Sequence, residues 1–412
     1  MLRRLGMLLF VAAFAIAGTV AAQRIVLEMP SWQAEEPGFA EWWQGVIQDF
    51  QEMHPEVEVR MHQITFGQYV DQLTIRFAAG NPPDIVHLPA RNFPLFAAEG
   101  WLEPLDAWLS ESDIPDAWTP LQADMMWDDQ TYGVLLMGYG SIFFYNEQIL
   151  SDAGVDVPTT PEAFLEVVRE TTDVDAGIFG FAGTTIEHPG IYVDVSRWLA
   201  GQDIDWVVDG AYAFTDPQVV AAIEQYREAI GSSPTGLTTA AGRQLFIDGR
   251  IATMMDGPWV VALLAQAPDD VRPHLRIDRT PFPYTAGGTS NSLHIPAGAD
   301  PERQQLAWEF IELAGSPKWQ DRYTALTKSP APRAGAASEA TLQESPELEL
   351  INAMAAEAVD LFPQHPTLRQ NYTEFANLFA EAMMRLITTN VATEQVLADL
   401  QRELNNRIPL AQ

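Results

Sequence analysis

Residues 24–100 alternate strand, helix, strand, helix, strand, and no other feature limits the fold as much. Arg24 to Met29 reads as a first strand and leads into Pro30-Ser31-Trp32-Gln33. A helix pattern runs from Phe39 to Met53, with Phe39, Trp42, Trp43, Val46, Ile47 and Phe50 on one side. His54-Pro55 ends it. Val57, Val59 and Met61 alternate with polar residues, as on a half-buried strand. A second helix, Tyr69 to Ala79, closes at Gly80-Asn-Pro-Pro. Asp84 to Leu88 is a third strand, followed by a helix to Glu99 and Gly100. Parallel strands need crossover helices, so this rhythm predicts an α/β unit.

The rhythm breaks at Gly138-Tyr-Gly-Ser-Ile-Phe-Phe-Tyr-Asn146. Gly138 and Gly140 flank Tyr139 and allow backbone geometries that other residues resist. A strand, Ile142 to Tyr145, and a helix stopping at Gly154 follow, the glycine suiting a left-handed helix stop. A second α/β unit then begins. Thr160-Pro161, Asp216-Pro217, Asp300-Pro301 and Ser316-Pro317 each pair a cap with a first-turn proline. Ile178 to Ala182, Tyr212 to Thr215, Ile251 to Asp256 and Leu293 to Ile295 read as strands, the last opening out of a Gly287–Ser292 loop. Residues 347–407 read as nearly all helix. With no low-complexity linker, the chain is expected to cross between two units more than once.

At 412 residues the chain has ample core for one large or two medium domains. Arg3 and Arg4, an apolar run from Leu5 to Ala22 and the small residues Val20-Ala21-Ala22 have the layout of a cleavable signal peptide. No later stretch is apolar enough to span a bilayer. There is no cysteine. That excludes thiolate metal sites, disulfides and a lipid on an N-terminal cysteine. Net charge is −33, or −35 once Arg3 and Arg4 are removed (−33 − 2). Such acidity repels nucleic acid and anionic membranes. The acids are spread along the whole chain, as on a solvated surface.

Enzyme motifs are missing. Gly231-Ser-Ser-Pro-Thr-Gly236 lacks the nucleophile-elbow spacing. Gly138-Tyr-Gly140 lacks the third glycine of a dinucleotide loop. Asp173-Val-Asp-Ala-Gly177 lacks the later ligands of a calcium loop. No histidine pair has metalloprotease spacing. No catalytic residue, metal or cofactor is therefore expected, although counting carboxylates in so acidic a chain does not exclude a glycosidase pair.

Six segments carry a family likeness, in order. They are Phe50-Gln-Glu-Met-His-Pro-Glu-Val-Glu-Val59, Ala78-Ala-Gly-Asn-Pro-Pro-Asp-Ile-Val86, Phe96-Ala-Ala-Glu-Gly-Trp-Leu-Glu-Pro-Leu-Asp106, the Tyr132-Gly to Gly154 crossing, Phe246-Ile-Asp-Gly-Arg-Ile-Ala-Thr-Met-Met-Asp-Gly-Pro-Trp259, and Ala307-Trp-Glu-Phe-Ile311. Together they resemble the solute-binding proteins of carbohydrate-type ABC importers (family 1), which include maltose-binding proteins. Leu88-Pro-Ala-Arg-Asn-Phe93 departs from the maltose-type pattern.

The resemblance implies a two-lobed periplasmic binding protein of type II-like α/β fold. Each lobe would be a central, mainly parallel sheet flanked by helices, the lobes joined by about three crossings, near 138–154, 292–294 and 330–335. The lobes would be 23–139 plus 293–333 and 140–292 plus 334–412, after a signal peptide at 1–22. It implies a soluble periplasmic monomer that captures a sugar or oligosaccharide by hinge closure and hands it to a membrane permease. A glycerol phosphodiester or polyamine ligand on the same fold, or a secreted carbohydrate-active enzyme, are the competing readings.

Sugars offer apolar C–H faces and a rim of hydroxyls, which aromatic rings, amides, carboxylates and Arg satisfy. By position after strand ends and at crossings, the candidates are Trp32, Gln33, Glu36, Arg91, Asn92, Tyr139, Trp259, Asn291 and Tyr372. Each also has a plain packing or capping role open to it; for Glu36 and Tyr372 that role is favoured. Trp42, Trp43, Trp101, Trp108, Trp118 and Trp308 are assigned to packing.

Overall fold

The computed structural model describes residues 24–188 and 190–410. The expected signal peptide lies outside them. Two main hydrophobic cores organise the chain. The first gathers Leu27 to Met137 and Leu293 to Tyr323. The second gathers Phe143 to Phe282 and Leu368 to Ile408, with a companion cluster around Ile142, Phe246, Met254 and Met354. Each core is thus built from separated stretches of sequence.

In the first core, strands Ile25–Ser31 and Val57–Gln63 pair in parallel around helix Phe39–Met53. That helix buries Phe39, Trp42, Trp43, Val46 and Phe50, the face its 3–4 spacing predicts. Late helices Pro301–Ala314 and Pro317–Thr327 cover it, and Trp42 Nε1 donates to the Trp319 carbonyl at 2.7 Å. In the second core, strands Leu275–Arg279, Ile142–Asn146, Ile251–Asp256 and Phe179–Ala182 form one sheet in that order. Helices Tyr372–Thr388 and Thr393–Arg407 pack beside it.

Two strands connect the cores. The outgoing strand, Val134–Gly140, is buried along its whole length. The return strand, Ala286–His294, pairs antiparallel with it, antiparallel with Val86–Pro89 and parallel with the short Val359–Asp360. The expected Gly287–Ser292 loop is therefore strand. Its lack of β-formers has a steric cause. A Cβ on Gly287 would stand 2.0 Å from the Tyr139 carbonyl oxygen, and one on Gly140 would stand 2.5 Å from that of Met354. Gly138 and Gly140 thus serve close approach; neither has positive φ, whereas Gly154 does, at 70°.

Three further details differ from expectation. The two four-stranded sheets are mixed rather than mainly parallel, because Ile142–Asn146 runs against both of its neighbours and the return strand against Val86–Pro89 and Val134–Gly140. The strand expected at Tyr212–Thr215 is a two-residue pairing of Ala211–Tyr212 with Val207–Val208, ending before Asp216 caps the next helix. Of the four cap–proline starts, Thr160, Asp216 and Asp300 accept a backbone N–H, but the buried Ser316 hydroxyl does not.

Candidate ligand-binding cleft

A cavity of about 540 Å³ opens where both cores meet the crossing strands. The first core contributes the turn after Ile25–Ser31. Trp32 is fixed there, stacked on His87 at 4.0 Å and edge-on to Phe66 and Tyr69. Gln33 also lines the cavity, though its Oε1 is turned toward Trp43 Nε1 at 3.4 Å. Glu36 follows on the same turn. Arg91 enters from the 3-10 turn Ala90–Asn92 at the end of strand Val86–Pro89.

The crossing supplies Tyr139 and Asn291. Register shifts between Thr289 and Asn291, and between Asn291 and Ser292, mark an irregularity in the return strand that brings Ser290 and Asn291 to the cavity. Asn291 Oδ1 is buried with no protein partner. Tyr139 packs against Trp259 with ring centres 5.0 Å apart. Trp259, half-buried at the start of helix Trp259–Leu263, touches both the first core and the companion cluster.

Of the nine candidates, Trp32, Gln33, Glu36, Arg91, Tyr139, Trp259 and Asn291 line the cavity. Asn92 and Tyr372 do not. Asn92 turns away and donates to Thr373 Oγ1 at 3.3 Å, because successive residues of a 3-10 turn point in different directions. Tyr372 is buried among Tyr192 and Phe362 and lies beneath the Arg91 guanidinium at 5.4 Å. It supports a cavity residue without lining the cavity.

The sequence reading missed a charged network on the second wall. Asp256 ends the fully buried strand Ile251–Asp256 and takes Arg243 in a two-point pair at 2.8 and 3.2 Å. Arg197 reaches Asp256 at 3.8 Å, Asp194 at 3.0 Å and Ser141 Oγ at 3.1 Å. Asp194 also accepts the Thr184 N–H. Two signals were readable: a carboxylate closing an apolar strand, and an Asp–Arg pair three residues apart on a helix that is otherwise apolar on that side.

Burial pushes Asp256 up, but Arg243 and Arg197 outweigh it and hold the carboxyl below its usual range. Burial wins at Asp194, which is raised despite Arg197. Glu36 is raised to about 7 by burial, with Arg243 lowering it and Asp256 adding to the rise. The cavity thus combines aromatic faces, amides, hydroxyls and a fixed charge network, a set able to hold a polar solute with apolar faces.

A family model described as bacterial extracellular solute-binding protein matches residues 34–321, well over half the chain. The chain belongs to that family. Among its relatives is the diacetylchitobiose binding protein DasA of Streptomyces coelicolor, 24% identical over 301 residues, covering 70% of this chain and 69% of the other. The galactooligosaccharide-binding protein of Bacillus subtilis is 23% identical over 325 residues, covering 74% and 72%. A solved structure of an ABC transporter solute-binding protein from Thermotoga lettingae, bound with alpha-D-tagatose, overlays with a TM-score of 0.83 at 20% identity. That overlay covers 93% of this chain and 99% of the other. This solute-binding protein therefore has the two-lobed fold, with its cavity between the lobes. No helix among its described residues is long and apolar enough to cross a membrane.

Proposed function

We propose that this protein captures a sugar or oligosaccharide between its lobes and delivers it to the permease of an ABC importer. One observation carries the reading: aromatic rings from both walls and the crossing, Trp32, Trp259 and Tyr139, converge on one cavity with a polar rim. A saccharide needs that combination of faces and hydrogen-bonding edges. Relatives whose names specify sugars support it.

The lobes are taken as 23–139 plus 293–333 and 140–292 plus 334–412. Closure about the crossing strands brings the walls onto the ligand, and the permease reads the closed form. Trp32, Gln33, Glu36, Arg91, Tyr139, Trp259 and Asn291 are the proposed contacts, joined by Asp194, Arg197, Arg243 and Asp256 as the charged part of the cavity wall. A cleavable signal peptide would place the monomer in the periplasm, where it binds without catalysing.

Native mass spectrometry of freshly purified protein is the direct test, with a co-purified saccharide as the expected result. Tryptophan fluorescence and melting temperature are expected to shift with the right sugar. Silence across a broad panel of mono-, di- and oligosaccharides at millimolar concentration would end the sugar assignment.

A further inference from the structure

Three arginines line the cleft, and two of them face carboxylates. Arg243 is paired with Asp256, and Arg197 with Asp194 and Asp256. Arg91 forms no ion pair among the described residues, and its buried Nε makes no hydrogen bond. Its guanidinium lies instead over the faces of Phe66 and Tyr372, at 5.8 and 5.4 Å from the ring centres. Ring faces orient a guanidinium but balance its charge less well than a carboxylate does. Arg227, Arg250 and Arg369 also lack a carboxylate, but each donates to backbone carbonyls, which Arg91 does not.

The local charge count points the same way. Arg91, Arg197 and Arg243 stand against Asp194 and Asp256, so these five leave one positive charge (3 − 2) in a chain of net charge −33. The sixth group, Glu36, is protonated in part at neutral pH because burial raises it to about 7. A smaller cavity of about 50 Å³ shares Arg91 and Tyr139 with the main one. Asp124, Asp360 and Arg369 line that smaller space, which at about 50 Å³ is too small for a sugar, so an anion carried on a sugar meets Arg91 from the main-cleft side.

We propose that the solute is a sugar or polyol carrying one carboxylate or phosphate, and that Arg91 is the anchor for that group. The guanidinium fork matches two oxygens of either group, and the Phe66 and Tyr372 rings hold its plane in place. The proposal rests on the saccharide reading and narrows it to acidic members of the class.

Calorimetry on the full mature chain, with matched pairs of ligands, tests it. Galacturonate against galactose and glucuronate against glucose probe the carboxylate. Glycerol 3-phosphate against glycerol probes the phosphate. The anionic member of at least one pair is expected to bind at least about 30-fold tighter than its neutral partner. In Arg91→Met, that preference is expected to fall to within about threefold, while Arg91→Lys keeps part of it. Neutral members binding as tightly as anionic ones in the wild type would overturn the proposal and leave sugar capture standing. So would a preference that survives in an Arg91→Met protein of unchanged melting temperature. Binding of glycerol 3-phosphate alone would support the anchor through its phosphate arm and remove the sugar reading.

Discussion

Asp256 serves two arginines at once, and its removal leaves Arg243 without its two-point partner while Arg197 keeps only Asp194. Arg197 is 4% exposed, so its charge would rest on Asp194 alone, and Arg243, 22% exposed, would lose both hydrogen bonds to a carboxylate. Asp256→Ala is expected to cost about 3–5 kcal/mol, read as a fall in urea midpoint at unchanged slope. Glu36 acts in the opposite sense. Its carboxyl is raised from 4.5 to about 7, mainly by burial, with Arg243 and Asp256 facing it from the other wall. Between those two values the native state keeps a proton that the unfolded chain has lost. Its contribution is full below pH 4.5 and disappears as pH rises through 7. Glu36→Gln is therefore expected to gain stability relative to wild type between pH 5 and pH 8. Parallel melting profiles for the two proteins across that range would contradict this. The cavity residues that were legible beforehand, such as Trp32 and Trp259, follow strand ends. Arg243 was not legible, because it lies within a helix whose inward face only the tertiary fold reveals, whereas Arg197 left a trace only in its spacing from Asp194. Asn92 and Tyr372 show the reverse: correct neighbourhoods, with side chains turned elsewhere.

At the level of elements, helices were read well and the return strand was not. Helix Phe39–Met53 has its apolar stripe in the sequence itself. The Gly287–Ser292 segment has no alternating apolar pattern, because its contacts are backbone against backbone. The same crowding yields a test. Gly287→Ala places a methyl group 2.0 Å from the Tyr139 carbonyl oxygen and 2.9 Å from Gly140 Cα. Backbone cannot rotate away as a side chain can, so the crossing strands must separate. A loss of about 1–3 kcal/mol is expected in urea unfolding. An unchanged midpoint would mean the two strands are less closely held than the geometry indicates.

Across the whole molecule, the two-lobe class was legible from the order of segments, while the mixed strand directions became visible only in three dimensions. Net charge sets a general property. With −33 distributed over the chain, self-repulsion opposes compaction, and salt screens it over about 10 Å or less. Melting temperature is expected to rise between 20 and about 500 mM sodium chloride, as salt shortens the screening length. A fall would show that ion pairs such as Arg303 with Asp84 outweigh the repulsion.

The first core also has a consequence for the order of events during synthesis. Helix Phe39–Met53 leaves the ribosome early, yet the surfaces that cover it belong to residues 301–327. Trp42 waits for the carbonyl of Trp319, 277 positions later, and strand Val86–Pro89 waits for Asn291 to His294. Until about three-quarters of the chain exists, neither lobe can close its core. Contacts so distant in sequence make folding slow. The nascent protein therefore stays short of its native packing for most of its translation, the condition in which a chain can still be threaded through a narrow channel.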